Sequence, residues 1–230
     1  MAAKTSFAVP SLPALRLAEQ LVGHRLAFGL AILGASAGIL AVLAVSSLTG
    51  AEPSTLTRDV VAVVDTHLYT GMLSTLGIML WSATSSLCLL AGLALQRGGE
   101  RREPSLFLLA AGLLTAALAL DDAFLIHERV APSYLHLPQI GVFLAYGGSM
   151  AAFLVFFARR ILTTDFLLLG IALGFFAASM SCDVLLAYSR LETFLEDCSK
   201  FAGIVFWLAY FAGTAHAMLR EECHEAACSR

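Results

Sequence analysis

Two aspartates, a histidine and a glutamate lie within eight residues near the middle of the chain: Asp121, Asp122, His127 and Glu128. About sixteen residues without a charged side chain precede them, so the acids stand where a membrane helix would still be apolar. A charged group inside a bilayer costs at least ~2.5–3.5 kcal/mol, and such groups face a protein interior or a water-filled cavity and mark functional sites. We therefore predict a functional site at this position.

Carboxylates and imidazole together are ligands for zinc, iron and manganese, and they are also common groups of acid–base catalysis. Three protein ligands with one open position leave a metal-bound water that attacks a substrate. The predicted metal ligands are Asp121, His127, Glu128 and Asp183. The predicted catalytic groups are Asp121, Asp122, Glu128 and Lys200. Because the chain has no His-Glu-x-x-His motif, residue types and topology alone suggest this chemistry.

Helical geometry divides this cluster into two parts. At ~100° per residue, Asp121 and Glu128 are nearly eclipsed, while Asp122 points about 100° away from Asp121. Asp121, His127 and Glu128 share a face only if the helix continues through all of them. Asp122 then needs a partner of its own, and the candidates are Lys200 or a hydroxyl group of the preceding apolar stretch.

A purely structural role is the alternative for each of these groups. Residues 127–129 are also typical of a polar helix end at the membrane interface. Asp183 has Arg190 two turns further on as a possible ion-pair partner. Glu196 and Lys200 have the i,i+4 spacing of a surface pair, which is worth about 0.3–0.5 kcal/mol.

The composition indicates the elements that position these groups. The 230 residues are 59% hydrophobic and 13% charged, with a mean hydropathy of +0.82, whereas soluble domains have about 45–50% apolar and about 25% charged residues. A spanning helix needs ~20 mostly apolar residues. Six stretches qualify: Leu26–Leu48, Tyr69–Leu95, Ser105–Ile126, Ile140–Ala158, Phe166–Tyr188 and Phe201–Leu219. The sequence therefore predicts an all-α, polytopic membrane protein with six transmembrane helices.

The domain organisation and topology follow from these stretches. We predict a cytoplasmic or interfacial segment over residues 1–25 with a short amphipathic part, a six-helix domain over 26–219 and a cytoplasmic tail over 220–230. Cytoplasmic segments collect Lys and Arg, and ten of the fourteen such residues fall on the side of the two termini. Both termini are therefore predicted to be cytoplasmic, with the acid cluster, Asp183 and Lys200 on the outer side. A bacterial inner membrane is the default location.

Charge and small residues suggest which partners to expect. The net charge of −3 and the lack of a basic cluster argue against nucleic acid. Membrane lipids surround a chain of this composition. The Gly34/Gly38 and Gly170/Gly174 pairs have the small-xxx-small spacing that lets helices approach closely. They predict either packing within the chain or docking with a second copy or another membrane protein.

Two families share part of this chemistry. The combination of acids and histidine on membrane helices is similar in kind to the zinc amide hydrolases of the ceramidase and adiponectin-receptor superfamily. That resemblance implies a His-x-x-x-His motif, but here Arg220 follows His216 at the required spacing. Asp121-Asp122 looks like the start of the Asp-rich motif of membrane prenyltransferases, although Leu125 stands where another acid is expected. The residues therefore assign the chain to neither family.

Three functional hypotheses remain open from the sequence. The first is an outward-facing, membrane-embedded, metal-dependent hydrolase or lipid-modifying enzyme. The second is a non-catalytic subunit or assembly factor of a larger membrane complex, in which the polar cluster is a buried network. The third is a proton- or ion-coupled carrier whose acids and Lys200 exchange partners, although carriers favour sites at the membrane midplane.

Overall fold

The computed structural model describes residues 25–57, 64, 67, 69–97, 102–185 and 190–228. These residues form helices and connecting turns, without strands in the described ranges. The predicted amphipathic segment lies outside the described residues. The chain divides into two compact units, residues 1–70 and 71–230.

The described helices of the first unit are α1 (Arg25–Thr49) and α2 (Pro53–Thr57). Gly50 ends α1 with a φ of +71°, and its N–H donates to the Ser46 carbonyl at 2.9 Å. A glycine is the usual residue at this left-handed position because it has no Cβ to collide with the backbone.

The second unit contains the helices that carry the predicted site residues. They are α3 (Met72–Arg97), α4 (Arg102–Phe124), α5 (Ala131–Tyr134), α6 (Gln139–Phe156), α7 (Ala158–Ile161), α8 (Phe166–Leu185) and α9 (Arg190–Cys228). A π-helical turn, Ile126–Val130, lies between α4 and α5. Helix α9 continues through the predicted boundary at residue 219 into the region predicted as a tail.

Within the described residues, a helix covers most of each of the six predicted apolar stretches. Three helices are long and apolar enough to cross a membrane: Met72–Gln96, Arg102–Phe124 and Phe194–His224. Shorter apolar helices cover Ile39–Thr49, Ile140–Phe156 and Phe166–Cys182. The helical, membrane-type character predicted from composition is therefore confirmed, with three helices of spanning length among the described residues.

Helices α3 and α4 approach each other closely through glycine and serine. A Cβ added at Gly112 would lie 2.7 Å from the Leu89 Cγ, and one at Gly92 would lie 2.8 Å from the Leu109 Cγ. Ser85 donates to the Gly112 carbonyl at 2.9 Å, across the same interface. Small residues and interhelical hydrogen bonds are what hold helices together where lipid supplies no hydrophobic force between them. This contact fixes the position of α4 against α3.

Helix α9 contacts both α3 and α8, and its aromatic residues form much of the core. Trp207 and Phe211 are fully buried, and the Trp207 indole donates to the Thr115 hydroxyl of α4 at 3.0 Å. Phe153 and Phe157, at the end of α6, pack against Phe107 with ring centroids 5.5 and 5.3 Å away. This aromatic cluster joins the last turn of α6 to the bundle.

Candidate functional site

The acid cluster lies at a break in the chain. Helix α4 ends at Phe124, and Leu125 has a left-handed backbone with φ 51° and ψ 45°. This conformation costs a non-glycine residue about 1–2 kcal/mol. The N–H groups of Arg129 and Val130 both donate to the Leu125 carbonyl, at 2.8 and 3.2 Å. These bonds hold the following π-helical turn in place.

This break removes the continuous helix that a shared face of Asp121, His127 and Glu128 required. After this break, both the backbone N–H and the ring of His127 contact Asp121. Helix α4 does not continue through His127 and Glu128, because the left-handed backbone of Leu125 changes the direction of the chain. Asp121 and His127 nevertheless come together, through the turn.

Asp121 accepts hydrogen bonds from two sides. The backbone N–H of His127 donates to its Oδ1 at 2.9 Å, and the imidazole Nδ1 contacts its Oδ2. The Tyr146 hydroxyl of α6 donates to Oδ1 at 3.3 Å. Only 7% of the Asp121 side chain is exposed, which makes these partners necessary because an unpaired buried carboxylate is very costly.

The contact with Asp121 also selects a form of the His127 ring. When a carboxylate accepts from Nδ1–H, the neutral imidazole carries its basic lone pair on Nε2. The Phe143 ring lies 5.1 Å from the His127 ring, centroid to centroid, and further restricts its orientation. We call Asp121, His127 and Tyr146 the acid–base triad.

Asp122 points to the other side of α4 and has different partners. The Trp81 indole of α3 donates to its Oδ2 at 3.0 Å, and the Lys200 ammonium of α9 donates to its Oδ1 at 2.5 Å. The Asp122 side chain is 11% exposed and that of Lys200 is 37% exposed. Lys200 was one of the two partners predicted for Asp122, and the structure confirms this contact. We call Asp122, Trp81 and Lys200 the ion-pair cluster.

A small cavity adjoins the ion-pair cluster. Its volume is about 40 Å³, and Ser74, Asp122, Asp197 and Lys200 supply its polar lining. A cavity needs roughly 10–15 Å³ to hold a water molecule, so this one has room for a few. Gly77 and Ile204 form part of its apolar wall.

Four of the predicted site residues are therefore distributed over two centres, with Asp121 and His127 in the triad and Asp122 and Lys200 in the ion-pair cluster. The backbone of Glu128 lies in the π-helical turn and that of Asp183 lies near the end of α8. Their side chains lie outside the described part of the structure. Within that part, no group of three or more His, Cys, Asp or Glu side chains is arranged to hold a metal ion.

Sequence reasoning missed two members of these centres, Trp81 and Tyr146, and also Phe143, whose ring contacts His127. Trp81 and Tyr146 carried a usable signal, because an indole N–H or a phenol in an apolar helix needs a hydrogen-bond partner when it is buried. Phe143 carried no such signal, since phenylalanine is common in any membrane helix.

The structure describes the surroundings of only one of the two predicted glycine pairs. Gly34 and Gly38 lie on α1, in a part where their surroundings are not described. A Cβ added at Gly170 or Gly174 of α8 would meet no atom within 4 Å. This face of α8 is therefore open, and its close packing against another helix of the same chain is not seen in the described residues.

The helices and the two centres define an all-helical protein of membrane type with buried acid–base groups at one end of its bundle. The family model described as "Domain of unknown function (DUF8692)" matches residues 25–214, most of the chain, and the chain belongs to that family. The matched range includes α3, α4, α6 and α8, and both centres. No curated protein and no solved structure matches the chain.

Proposed function

We propose that this chain is a membrane-embedded hydrolase or lipid-modifying enzyme in which His127 is the general base. The observation that carries the proposal is the buried Asp121 carboxylate, which accepts from both the backbone and the ring of His127. A carboxylate on Nδ1 holds the imidazole in one tautomer and stabilises the imidazolium that forms when Nε2 takes a proton. A positioned base of this kind contributes about 10²–10⁴-fold to a rate.

The proposed reaction uses water or a hydroxyl group as the nucleophile. His127 Nε2 accepts a proton from it, and the oxygen bonds to an acyl carbon of the substrate. The bond to the leaving group breaks, and the imidazolium returns the proton to that group. Tyr146 keeps the Asp121 carboxylate oriented through its hydrogen bond to Oδ1.

The membrane setting belongs to the same proposal. Six spans, cytoplasmic termini and an outward-facing triad are supported by the six apolar helical stretches and the uneven distribution of Lys and Arg. In a bacterial inner membrane, this orientation exposes the triad to the periplasmic side. Cysteine labelling of an exposed residue at the end of α5, such as Tyr134→Cys, in intact cells and in inverted vesicles tests the orientation.

In a metal-dependent form of this enzyme, His127 would be one ligand of zinc, iron or manganese, and the metal would supply an activated water. Metal-bound histidines commonly donate their other N–H to a carboxylate, as His127 does to Asp121. Glu128 and Asp183 are then the further ligands predicted from the sequence. Elemental analysis of the wild type and of His127→Gln distinguishes the two forms, because the metal-dependent one requires stoichiometric metal that the variant loses.

The test of the enzyme is hydrolysis by purified protein in nanodiscs, assayed with ester and amide substrates of short and long acyl chains. We expect His127→Gln, whose amide group can still donate to Asp121, to lower turnover per folded molecule by at least about 100-fold. His216→Gln, on an exposed position of α9, is the matched control and keeps full turnover. Equal turnover by the wild type and His127→Gln would reject the proposal.

A proton-coupled carrier is the second candidate, and the ion-pair cluster supports it. Lys200 and Asp122 adjoin a cavity large enough for water, and Asp197 lines the same cavity. These groups supply the parts of a proton-exchange step. Proton uptake by proteoliposomes that Asp122→Asn abolishes would favour this function, whereas flux equal to that of empty vesicles excludes it.

The open face of α8 supports a third candidate, a subunit of a larger membrane assembly. Gly170 and Gly174 leave room for a helix of a second copy or of another protein. Solubilisation in mild detergent followed by mass measurement of the intact particle tests it. A particle of a single chain in which Gly174→Leu changes nothing excludes this role.

A further inference from the structure

One flank of α6 is exposed and apolar next to the acid–base triad. Ile140, Leu144, Gly147 and Ala151 follow the i, i+4, i+7, i+11 spacing of one helix face, and all four are exposed. Ile140 is 62% and Leu144 is 69% exposed. We call these four residues the α6 flank.

Two residues of the α6 flank directly follow the α6 residues that contact His127 and Asp121. Phe143, whose ring contacts His127, precedes Leu144, and Tyr146, which donates to Asp121, precedes Gly147. The flank is therefore next to the triad-contacting side of α6. At 1.5 Å per residue, it extends for roughly 17 Å.

The flank also has room where it passes the triad. A Cβ added at Gly147 would meet no atom within 4 Å. Helix α6 contacts the bundle near its middle through Tyr146, and again through Phe153 in its last turn and Phe157 just beyond it. Gly147 lies between these two contacts along the helix.

We infer that the substrate of the triad is a membrane lipid with an ester or amide bond, whose acyl chain lies along the α6 flank. This inference rests on the proposed function. In a bilayer, hydrocarbon chains cover the exposed apolar face of a helix, and a flexible linear chain fits a surface of two large aliphatic residues followed by glycine and alanine. A lipid in this position reaches the triad from the membrane plane, with its polar end beside His127.

The chemistry is hydrolysis of the bond next to the acyl carbonyl. His127 takes a proton from water, and the water oxygen bonds to the carbonyl carbon. The C–O or C–N bond to the rest of the lipid breaks, and the departing oxygen or nitrogen receives the proton. A fatty acid and a deacylated lipid are the products.

The test compares two substrates that carry the same scissile bond on a long and on a short, water-soluble acyl chain. In nanodiscs, we expect Gly147→Phe to lower kcat/KM for the long-chain substrate by at least about tenfold and to leave the short-chain value within twofold. Gly147→Ala keeps both values. Gly213→Phe is the matched control, because Gly213 is also exposed and open but lies on α9.

The outcomes separate this inference from the proposed function. If the wild type hydrolyses the short-chain substrate and His127→Gln does not, while Gly147→Phe leaves long-chain turnover unchanged, the enzyme stands and the lipid route is wrong. A melting temperature that falls far more in Gly147→Phe than in Gly213→Phe shows that protein covers the flank, and it overturns the route as well. If neither substrate is hydrolysed, the proposed function itself fails.

Discussion

Asp121 and Asp122 are neighbours in sequence, yet they have opposite surroundings. The partners of Asp121 are a ring, a backbone N–H and a phenol, and two of these three come from His127, six residues away. Asp122 is bound by Trp81 and Lys200, which are 41 and 78 residues away. In the proposed enzyme the first arrangement orients a base, whereas the second joins three helices, α3, α4 and α9. Under that proposal the same residue type has a catalytic role on one side of α4 and a structural role on the other.

The largest expected effect comes from replacing each carboxylate in turn, which tests whether Asp121 and Asp122 have different roles. Asp121→Asn keeps the size of the side chain but offers His127 the wrong hydrogen-bonding partner, so we expect turnover to fall by about 10²–10⁴-fold. Asp122→Asn should lower turnover by less than about tenfold. Hydrolysis in nanodiscs measures both, and equal losses in the two variants would contradict the division of roles.

For the free energy of unfolding, we expect the larger loss when the ion-pair cluster is disrupted. Lys200→Met leaves the Asp122 carboxylate, 11% exposed, without its cation. A fully buried pair costs about 3–5 kcal/mol to break in this way, but Lys200 is more than a third exposed, so we expect about 1–2 kcal/mol. Thermal unfolding in detergent micelles gives the value.

A double variant provides the control for this prediction. Asp122→Asn combined with Lys200→Met removes both charges, and we expect it to be more stable than Lys200→Met alone. A double variant that is less stable than either single variant would mean that the ion pair does not hold α4 to α9.

The smallest expected effect belongs to Tyr146. Its hydroxyl donates to Asp121 at 3.3 Å, and a typical hydrogen bond contributes a net 0.5–1.5 kcal/mol. Tyr146→Phe should therefore lower turnover by about 2- to 10-fold with little change in melting temperature. Tyr134→Phe, at a position 75% exposed, is the matched control and should have no effect. An unchanged rate in Tyr146→Phe would remove the phenol from the triad.

The positions of the helices followed from the sequence because hydropathy is a local property. Within the described residues, most of each apolar stretch of about 20 residues is helical, since backbone groups in an apolar setting must bond within their own segment. The contact between Asp122 and Lys200 was also predicted from the sequence, as one of two possible partners for Asp122. A buried acid needs a partner, and only a few polar groups lie at the same end of the bundle.

The shape of the triad could not be predicted in the same way. It depends on Leu125, a residue type that rarely adopts a left-handed backbone, so nothing in the sequence indicated a turn there. Trp81 and Tyr146 depend on which faces of α3 and α6 meet α4. Helix rotation is set by packing, such as the close approach at Gly112, and not by hydropathy.

The sequence by itself determined that this is a helical protein of membrane type with acids at one end of an apolar helix, because composition and hydropathy are properties of short segments. Only the tertiary structure decided that Asp121 belongs with His127 and Tyr146 while Asp122 belongs with Trp81 and Lys200. The reason is geometric: consecutive residues of a helix point about 100° apart, and the helices packed on each side determine which partners each one meets.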